Sequence, residues 1–295
     1  MSNEMEHGQL PERPGTLYVV ATPIGNLEDI TLRALRVLKE VALVACEDTR
    51  HTAKLFHAYG IATPRESYHE HSEAKQTPRL LAALREGRSL ALVSDAGTPL
   101  LSDPGYQLVS ACRREGIPVV PIPGACAAVA ALSASGLPTD SCFFAGYLPP
   151  RRGVRRSRLE QLAGASGTLV FYEAPHRIVA SLEDMLAVLG PRRACLAREI
   201  TKLHEEWICG TLAEILETMA VRARVLGEFT ILIDRGPARA THSTLPESLQ
   251  EHFDRLVSVT GIERKDALKQ VARQRGISRR EAYREMLRVK PRQDS

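Results

Sequence analysis

Ser89–Gly105, with the sequence SLALVSDAGTPLLSDPG, is the stretch that decides the fold class of this chain. Its apolar first part predicts a strand over 89–95 that is buried on both faces, and the remainder is a long turn rich in Asp, Gly and Pro. Helical spacing flanks it on both sides, over 75–85 and 106–115. A buried strand between two helices is typical of a parallel sheet, in which ligands bind beyond the carboxyl ends of the strands.

Strand and helix patterns alternate outward from this stretch through the first half of the chain. Strands are predicted at 16–21, 41–46, 89–95 and 119–123, with helices at 27–40, 52–59, 75–85, 106–115 and 125–135. Ser135-Gly136-Leu137-Pro138 then breaks the pattern. We therefore predict an N-terminal α/β domain over residues 15–135, preceded by a disordered segment over 1–14.

The second half of the chain contains the same two patterns. Strands are predicted near 142–147, 168–172, 194–198, 206–209 and 229–233, with helices at 154–162, 178–189 and 212–222. A second α/β domain over 136–238 and a small helical tail over 239–295 follow from this. In the tail, 266–275 and 278–287 resemble a helix-turn-helix with Ser278 as the N-cap, and a plain helical hairpin fits the same pattern.

Composition excludes several classes of protein. The 295 residues are 44% hydrophobic and 25% charged, as in globular domains, and 5% aromatic, too few to bind single strands mainly by base stacking. Neither a G-x-x-x-x-G-K-[ST] nor a G-x-G-x-x-G phosphate loop is present. The polar N-terminus and the proline-broken apolar stretch 117–134 favour a cytoplasmic protein with no membrane partner.

The six cysteines form no C-x-x-C pair and lie in apolar segments, which predicts free thiols in a reducing compartment. No Cys/His group has metal-ligand spacing, so no metal is expected.

Basic residues are concentrated in two segments. Residues 261–295 hold eleven Lys or Arg and five Asp or Glu, a net charge of +6 in a chain whose total is +4. A second run holds Arg151, Arg152, Arg155, Arg156 and Arg158. Each run alone is typical of a solvated face, whereas two of them favour a polyanionic partner.

Six longer segments carry a resemblance that no short motif would carry alone. They are Gly15–Thr31 (GTLYVVATPIGNLEDIT), Cys46–Thr52 (CEDTRHT), Val93–Gly105 (VSDAGTPLLSDPG), Pro121–Ala125 (PIPGA), Tyr172–Ile178 (YEAPHRI) and Arg198–Glu205 (REITKLHE). On these segments, from about residue 15 to residue 234, the chain resembles the tetrapyrrole-methylase superfamily of S-adenosylmethionine-dependent methyltransferases.

The resemblance implies two α/β domains with S-adenosylmethionine in the cleft between them, usually in a homodimer. Within the superfamily, the chain is similar to members that methylate a cytidine 2′-oxygen of 16S ribosomal RNA, expected within the small ribosomal subunit. The implied cofactor-binding residues are Pro23, Asp95, Ala96, Gly97, Thr98, Ser102, Pro123, Gly124, Ala125 and Tyr172. The first loop has Thr22-Pro23-Ile24 where tetrapyrrole-modifying relatives are richer in glycine.

Catalysis requires alignment of the ribose oxygen with the methyl group, helped by a base or a nearby cation. Lys202 fills that role if desolvation lowers its pKa, and Glu199 and His204 are the other candidates. The groups around Glu173, His176 and Arg177 and around Glu199–Glu205 also fit ion pairs that close a domain interface. The predicted RNA-binding residues are Arg151, Arg152, Arg155, Arg156, Arg158, Arg177, Arg279, Arg280 and Arg284.

Two other functions remain open on sequence grounds. A tetrapyrrole methyltransferase of the same fold has no evident need for a +6 tail, and a non-enzymatic ribosome-assembly factor would not bind S-adenosylmethionine.

Overall fold

Parallel pairing joins the first five strands into one sheet. The computed structural model describes residues 13–236, 248–260, 262–275 and 277–288. The strands are β1 (Leu17–Val20), β2 (Leu43–Cys46), β3 (Arg65–Ser67), β4 (Leu90–Val93) and β5 (Val119–Ile122). Their order is β3-β2-β4-β1-β5 and every pair is parallel. All four residues of β4 are buried, as its apolar sequence predicts.

Five helices accompany these strands, near the predicted positions, and the last of them packs against the second sheet, where Ala128 and Ala131 share a cluster with Val170. They are α1 (Leu32–Glu40), α2 (Thr49–Tyr59), α3 (Glu73–Arg85), α4 (Tyr106–Arg114) and α5 (Ala127–Ala134). The predicted helix over 27–40 is divided, because the Thr31 side chain accepts the Ala34 amide and caps α1. Leu27–Asp29 forms a separate 3₁₀ turn. The short edge strand β3 was not predicted, since its sequence Arg-Glu-Ser has no apolar pattern.

The second sheet is mainly antiparallel. Its strands are β6 (Cys142–Tyr147), β7 (Thr168–Glu173), β8 (Arg193–Arg198), β9 (Glu206–Thr211) and β10 (Phe229–Ile233), in the order β6-β7-β10-β8-β9. Only β6 and β7 pair in parallel. The short link between β8 and β9 permits only antiparallel pairing, because a parallel crossover needs a dozen or more residues. Helices α6 (Arg152–Leu162), α7 (Ile178–Leu189) and α8 (Leu212–Ala220) bury its core.

One cysteine pair departs from the expectation of six free thiols. Cys195 on β8 lies directly opposite Cys209 on β9, and the two are joined by a disulfide with a Cα–Cα distance of 4.1 Å. Cys46, Cys112, Cys126 and Cys142 are free. The expectation was wrong for this pair because strand register, which a scan for C-x-x-C spacing does not see, sets the two side chains against each other.

Three helices form a second compact unit, separate from the one that ends at Gly236. They are α9 (Leu249–Thr260), α10 (Arg264–Gln274) and α11 (Arg279–Arg288). Phe253, Ala267, Val271 and Ala282 are buried in its core. Ser278 caps α11 as predicted: its Oγ accepts the Glu281 amide and its own amide donates to the Glu281 carboxylate.

The predicted α/β class is confirmed, and the proposed domain boundary at 135/136 falls between α5 and β6. The disordered segment proposed for 1–14 lies outside the described residues up to residue 12, as do 237–247 and 289–295 of the tail. Within the described ranges, no helix has the length and apolarity needed to cross a membrane.

Candidate functional site

A cavity of about 240 Å³ lies between the two sheets, where several strands end. The long loop after β4 and the first turn of α5 line it from the first sheet. Tyr147, Tyr172 and the loop after β8 line it from the second. Of the predicted cofactor residues, those on the cavity wall are Asp95, Ala96, Gly97, Thr98, Ser102 and Tyr172.

The remaining predicted cofactor residues form the frame behind this wall. Thr22 and Gly97 exchange backbone hydrogen bonds of 2.9 and 3.0 Å, which ties the loop after β1 to the loop after β4. The Thr98 hydroxyl donates to the Ala125 carbonyl at 3.1 Å. Ala125 thus acts on the cavity through Thr98, and Pro23, Pro123 and Gly124 do not line it.

The loops around the cavity hold an unusual backbone. Within the described ranges, the non-glycine residues with positive φ are Leu100, Ser102, Glu199 and Thr201, at 73°, 70°, 52° and 67°. Two of them lie after β4 and two after β8, on opposite sides of the cavity. Left-handed backbone at non-glycine residues costs free energy and is concentrated at functional sites, because the surrounding structure must hold it.

Tyr172 connects the second sheet to the start of α5. Its hydroxyl accepts the Ala128 amide at 3.1 Å, so it satisfies one of the free amides in the first turn of the helix. The rings of Tyr147 and Tyr172 lie 5.8 Å apart. Together they give one side of the cavity an aromatic wall, of which the sequence analysis predicted only Tyr172.

Lys202 links the two sides of the cavity. Its ammonium group donates to Glu199 at 2.8 Å and to Glu228 at 3.2 Å, and its stem crosses Gly25, where an added Cβ would overlap Lys202 Cγ. Burial lowers the pKa of Lys202. The hydrogen bond to Glu199 and the charge of Glu228 raise it by more, so the pKa lies above its ordinary value.

Lys202 could act as a base only if its pKa were lowered, and the pKa is raised because the ion pairs stabilise the ammonium form. Burial raises the pKa of Glu199, but hydrogen bonds from Lys202 and from the Glu228 amide lower it by more. The pKa of Glu199 is therefore held below its ordinary value. His204 is exposed and does not line the cavity. Of the three catalytic candidates, Glu199 and Lys202 thus reach the cavity as an ion pair.

Three further carboxylates face the cavity from the first sheet: Glu47, Asp95 and Asp103. Asp95 accepts the Asp48 amide at 3.0 Å and so joins the loop after β4 to the start of α2. Burial, together with the charges of Glu47 and Asp95, raises the pKa of Asp103 to about 6. Burial and Asp95 also raise the pKa of Glu47.

Sequence reasoning did not select Asp103, Tyr147 or Glu228. Asp103 could have been found, since it ends the same Asp- and Gly-rich turn as Asp95. Within the described ranges, no group of three or more His, Cys, Asp or Glu residues is arranged to hold a metal ion.

The arginine run on α6 is largely paired. Arg155 is 5% exposed and contacts Asp184, which is 1% exposed, at 2.6 Å. Arg152 and Arg156 reach the same carboxylate at 3.2 and 2.6 Å. Arg155 also donates to the carbonyls of Pro150 and Ala180, so it serves the fold and is not available to RNA. The prediction of an RNA contact is corrected for this residue.

Arg177 is committed in a similar way. It donates to the Leu148 carbonyl at 2.5 Å and pairs with the buried Glu173 at 3.3 Å. Glu173 and Arg177 thus form an ion pair within the second domain, and these contacts leave Arg177 poorly placed for RNA. Arg151 is exposed and forms no ion pair with another described residue. Among the described residues, the Arg158 side chain donates a hydrogen bond only to Gln161.

Comparison with known proteins agrees with this architecture. Residues 16–216 match the family model described as Tetrapyrrole (Corrin/Porphyrin) Methylases. The chain belongs to this family. It is 47% identical over 286 residues to ribosomal RNA small subunit methyltransferase I of Halalkalibacterium halodurans, covering 96% of this chain and 98% of that protein. The protein of the same name from Pseudomonas aeruginosa is 53% identical over 221 residues, covering 74% of this chain and 78% of that protein.

Solved structures of this methylase family show the same fold. The crystal structure of uroporphyrin-III-C-methyltransferase from Thermus thermophilus is 27% identical, with a TM-score of 0.53, and covers 75% of this chain and 94% of that chain. The enzyme class predicted from the sequence is thus confirmed as that of a methyltransferase.

Proposed function

We propose that the protein transfers a methyl group from S-adenosylmethionine to the 2′-oxygen of a cytidine ribose in 16S ribosomal RNA. The observation that carries this is the 47% identity to a small-subunit rRNA methyltransferase across nearly the whole of both chains. The cavity at the ends of β4 and β8 supplies the site that such an enzyme requires.

The residues of the cavity fit the cofactor by charge. S-adenosylmethionine is the methyl donor of this enzyme class, and it carries a sulfonium and an ammonium group against one carboxylate. The cavity presents five carboxylates, on Glu47, Asp95, Asp103, Glu199 and Glu228, and one cation, Lys202. A net negative lining favours a ligand of net positive charge.

When bound, the cofactor supplies a methyl group that is already electrophilic. The chain has to hold it in line with a ribose oxygen and keep water away. The backbone of Asp95–Thr98, fixed by Thr22 and Ala125, is the rigid part of the frame. Tyr147 and Tyr172 add a wall on which a planar base or adenine ring can rest.

Asp103 is the base that the geometry supports best. It lies on the cavity wall, and its pKa of about 6 leaves it ionised at neutral pH but close enough to accept a proton. We expect its carboxylate to accept the 2′-hydroxyl proton. Lys202, held protonated by Glu199, would instead stabilise negative charge that develops on the oxygen.

RNA contacts are assigned to arginines that pair with no described carboxylate: Arg151 and Arg158 in and just before α6, and Arg279 and Arg280 on α11. The family resemblance also supports a homodimer in the cytoplasm, acting on the small ribosomal subunit. Sedimentation of the purified protein tests the homodimer directly.

The tetrapyrrole alternative is not favoured. It would follow from the solved structure at 27% identity, whereas the rRNA methyltransferases are 47% and 53% identical. A non-enzymatic assembly factor is likewise not favoured by the relatives' names.

Methyl transfer in vitro tests the proposal. The full chain is incubated with methyl-labelled S-adenosylmethionine and either free 16S rRNA, 30S subunits or uroporphyrinogen III. Nucleosides from the RNA are then separated by chromatography and identified by fragmentation in a mass spectrometer. We expect 2′-O-methylcytidine from one of the RNA substrates. A base-methylated nucleoside, or transfer only to the porphyrinogen, would overturn the proposal.

A further inference from the structure

The three-helix unit contains a cavity of its own. Its volume is about 750 Å³, larger than that of the cavity between the sheets. It is lined by Gln250 and Phe253 of α9, by Arg264, Lys265 and Leu268 of α10, and by Arg279, Arg280, Tyr283 and Met286 of α11. All of these belong to one compact unit, so the site does not depend on how this unit sits against the rest.

The charged part of this lining is entirely basic. Arg264 and Lys265 are the first two residues of α10, and Arg279 and Arg280 are the first two of α11. All four are exposed, and none forms an ion pair with another described residue. The carboxylate that follows the pair on α11, Glu281, is occupied by the Ser278 amide. The lining of the cavity therefore holds four cations and no carboxylate.

The four cations lie at helix N-termini, where positive charge is unfavourable. The N-terminus of a helix carries partial positive charge and free amide donors, so acidic residues are favourable in the first turn and basic ones are not. Here two helices each begin with a pair of cations on the wall of one cavity, and one acidic residue follows each pair, Asp266 on α10 and Glu281 on α11. A bound anion would neutralise both the cations and the two helix ends.

The apolar part of the lining suits a flat ring. Tyr283 is 55% exposed although it lines the cavity, and Leu268 and Phe253, which also line it, are buried. The Arg264 guanidinium lies 5.2 Å from the centre of the Phe253 ring, which holds that cation at the cavity edge. An exposed tyrosine beside free arginines provides both a surface for base stacking and partners for phosphates.

We propose that this cavity binds single-stranded RNA, with one base against Tyr283 and the flanking phosphates at the basic pairs Arg279–Arg280 and Arg264–Lys265. The proposal rests on the proposed function for the identity of the RNA and adds a binding site separate from the methyl-transfer cavity. Arg284 does not line the cavity and is not part of this site.

RNA is favoured over an acidic peptide by the combination of the two parts of the lining. Four cations alone would accept either polyanion. An exposed aromatic ring in the same lining offers little to carboxylate side chains, whereas every nucleotide presents both a phosphate and a flat base.

The test measures RNA binding by the full chain. A fluorescein-labelled single-stranded RNA of about 12 nucleotides is titrated by anisotropy at several salt concentrations. The pocket variants are Tyr283→Ala, Tyr283→Phe and the double variant Arg279→Gln/Arg280→Gln. The matched control, Lys269→Gln/Arg284→Gln, removes the same two charges from exposed positions on α10 and α11 outside the cavity.

Tyr283→Ala should weaken binding about tenfold, and Tyr283→Phe should bind like the wild type, because stacking needs the ring and not the hydroxyl. The arginine pair should lower the slope of log affinity against log salt by about 0.7 for each phosphate that the variant no longer binds. The control should change both quantities less. Circular dichroism of every variant establishes that the helices are retained, and Tyr283→Leu replaces Tyr283→Ala if the alanine variant unfolds.

Several outcomes would overturn the proposal. Equal losses of affinity in the control and the arginine pair would show a diffuse basic surface rather than a pocket. Unchanged RNA affinity in Tyr283→Ala would show that no base stacks on Tyr283. Displacement of the labelled RNA by polyglutamate or duplex RNA as effectively as by single-stranded RNA would show the same. Methylation of 16S rRNA by the wild type is measured in parallel. If methylation occurs but the pocket variants bind RNA normally, only this inference fails; if no RNA is methylated, the proposed function fails.

Discussion

The cavity between the two sheets and the cavity in the three-helix unit have opposite charge. The first presents five carboxylates and one lysine, and the second four cations and no carboxylate. A single basic chain thus has one cavity lining of net negative charge and another of net positive charge. The difference shows that net charge says little about an individual site, since it averages over both.

The arginines of α6 show that a basic sequence does not always provide free positive charge. Arg152, Arg155 and Arg156 resemble the tail arginines in sequence, yet they converge on one buried carboxylate, Asp184. Burial disfavours ionisation of Asp184, but the three arginines outweigh it and hold its pKa below the usual value. Charge is open to a ligand only where the fold has not already paired it.

Loss of Arg155 has the largest expected effect, and it falls on stability. Arg155→Met leaves the buried Asp184 short of its best partner and should lower the free energy of unfolding by about 3 kcal/mol, with Arg152 and Arg156 limiting the decrease. Urea denaturation measures it. Arg158→Met, on the same helix but bonded only to Gln161, is the control and should change stability by less than about 0.5 kcal/mol. Equal effects of the two variants would mean that Arg155 is not structurally special.

Filling the acidic cavity should abolish cofactor binding. Ala127 lines the cavity at the start of α5, and Ala127→Phe adds a ring where the ligand must lie, so affinity for S-adenosylmethionine should fall at least about 100-fold. Calorimetry measures the affinity. Val129→Phe is the matched control, because Val129 is 65% exposed on the same helix and does not line the cavity. Normal affinity in a folded Ala127→Phe protein would place the cofactor elsewhere.

Removing one charge from the acidic cavity should discriminate between the cofactor and its product. Asp103→Asn keeps the shape of the side chain but not its charge. Affinity for S-adenosylmethionine should drop about tenfold, and affinity for S-adenosylhomocysteine, which lacks the sulfonium charge, should change much less. Both affinities are measured by calorimetry. A parallel decrease for the two ligands would show that Asp103 acts through shape or hydrogen bonding instead of charge.

The smallest expected effect is on pH dependence. Because the pKa of Asp103 is raised to about 6, its carboxylate is ionised above pH 6 and becomes neutral below it. S-adenosylmethionine affinity should therefore be constant between pH 7 and 8 and fall about fivefold as the pH is lowered to 5. The Asp103→Asn protein should lose most of this dependence. A wild-type affinity that rises on acidification would contradict the assigned sign.

Local sequence predicted the elements well where the apolar pattern was clear. β4 and its long turn, β10, α7 and the capped helix α11 all lie within a few residues of their predicted bounds. The polar edge strand β3 and the antiparallel pairing of the second sheet were missed, since pairing partners are distant in sequence. Six of the ten predicted cofactor residues line the cavity. Five of them share the loop after β4, and the sixth, Tyr172, lies on β7 of the second sheet.

The sequence by itself determined the alternation of strands and helices, the loops after β4 and β5 and the resemblance to the methylase family. These follow from local periodicity and from motifs contiguous in the chain. Only the tertiary structure decided which charges are free. It buried Arg155 against Asp184, turned Lys202 from a candidate base into an ion-paired cation and gathered five carboxylates from separate segments around one cavity. Solvation and the distance between charges set their free energy, and both depend on contacts between residues far apart in sequence.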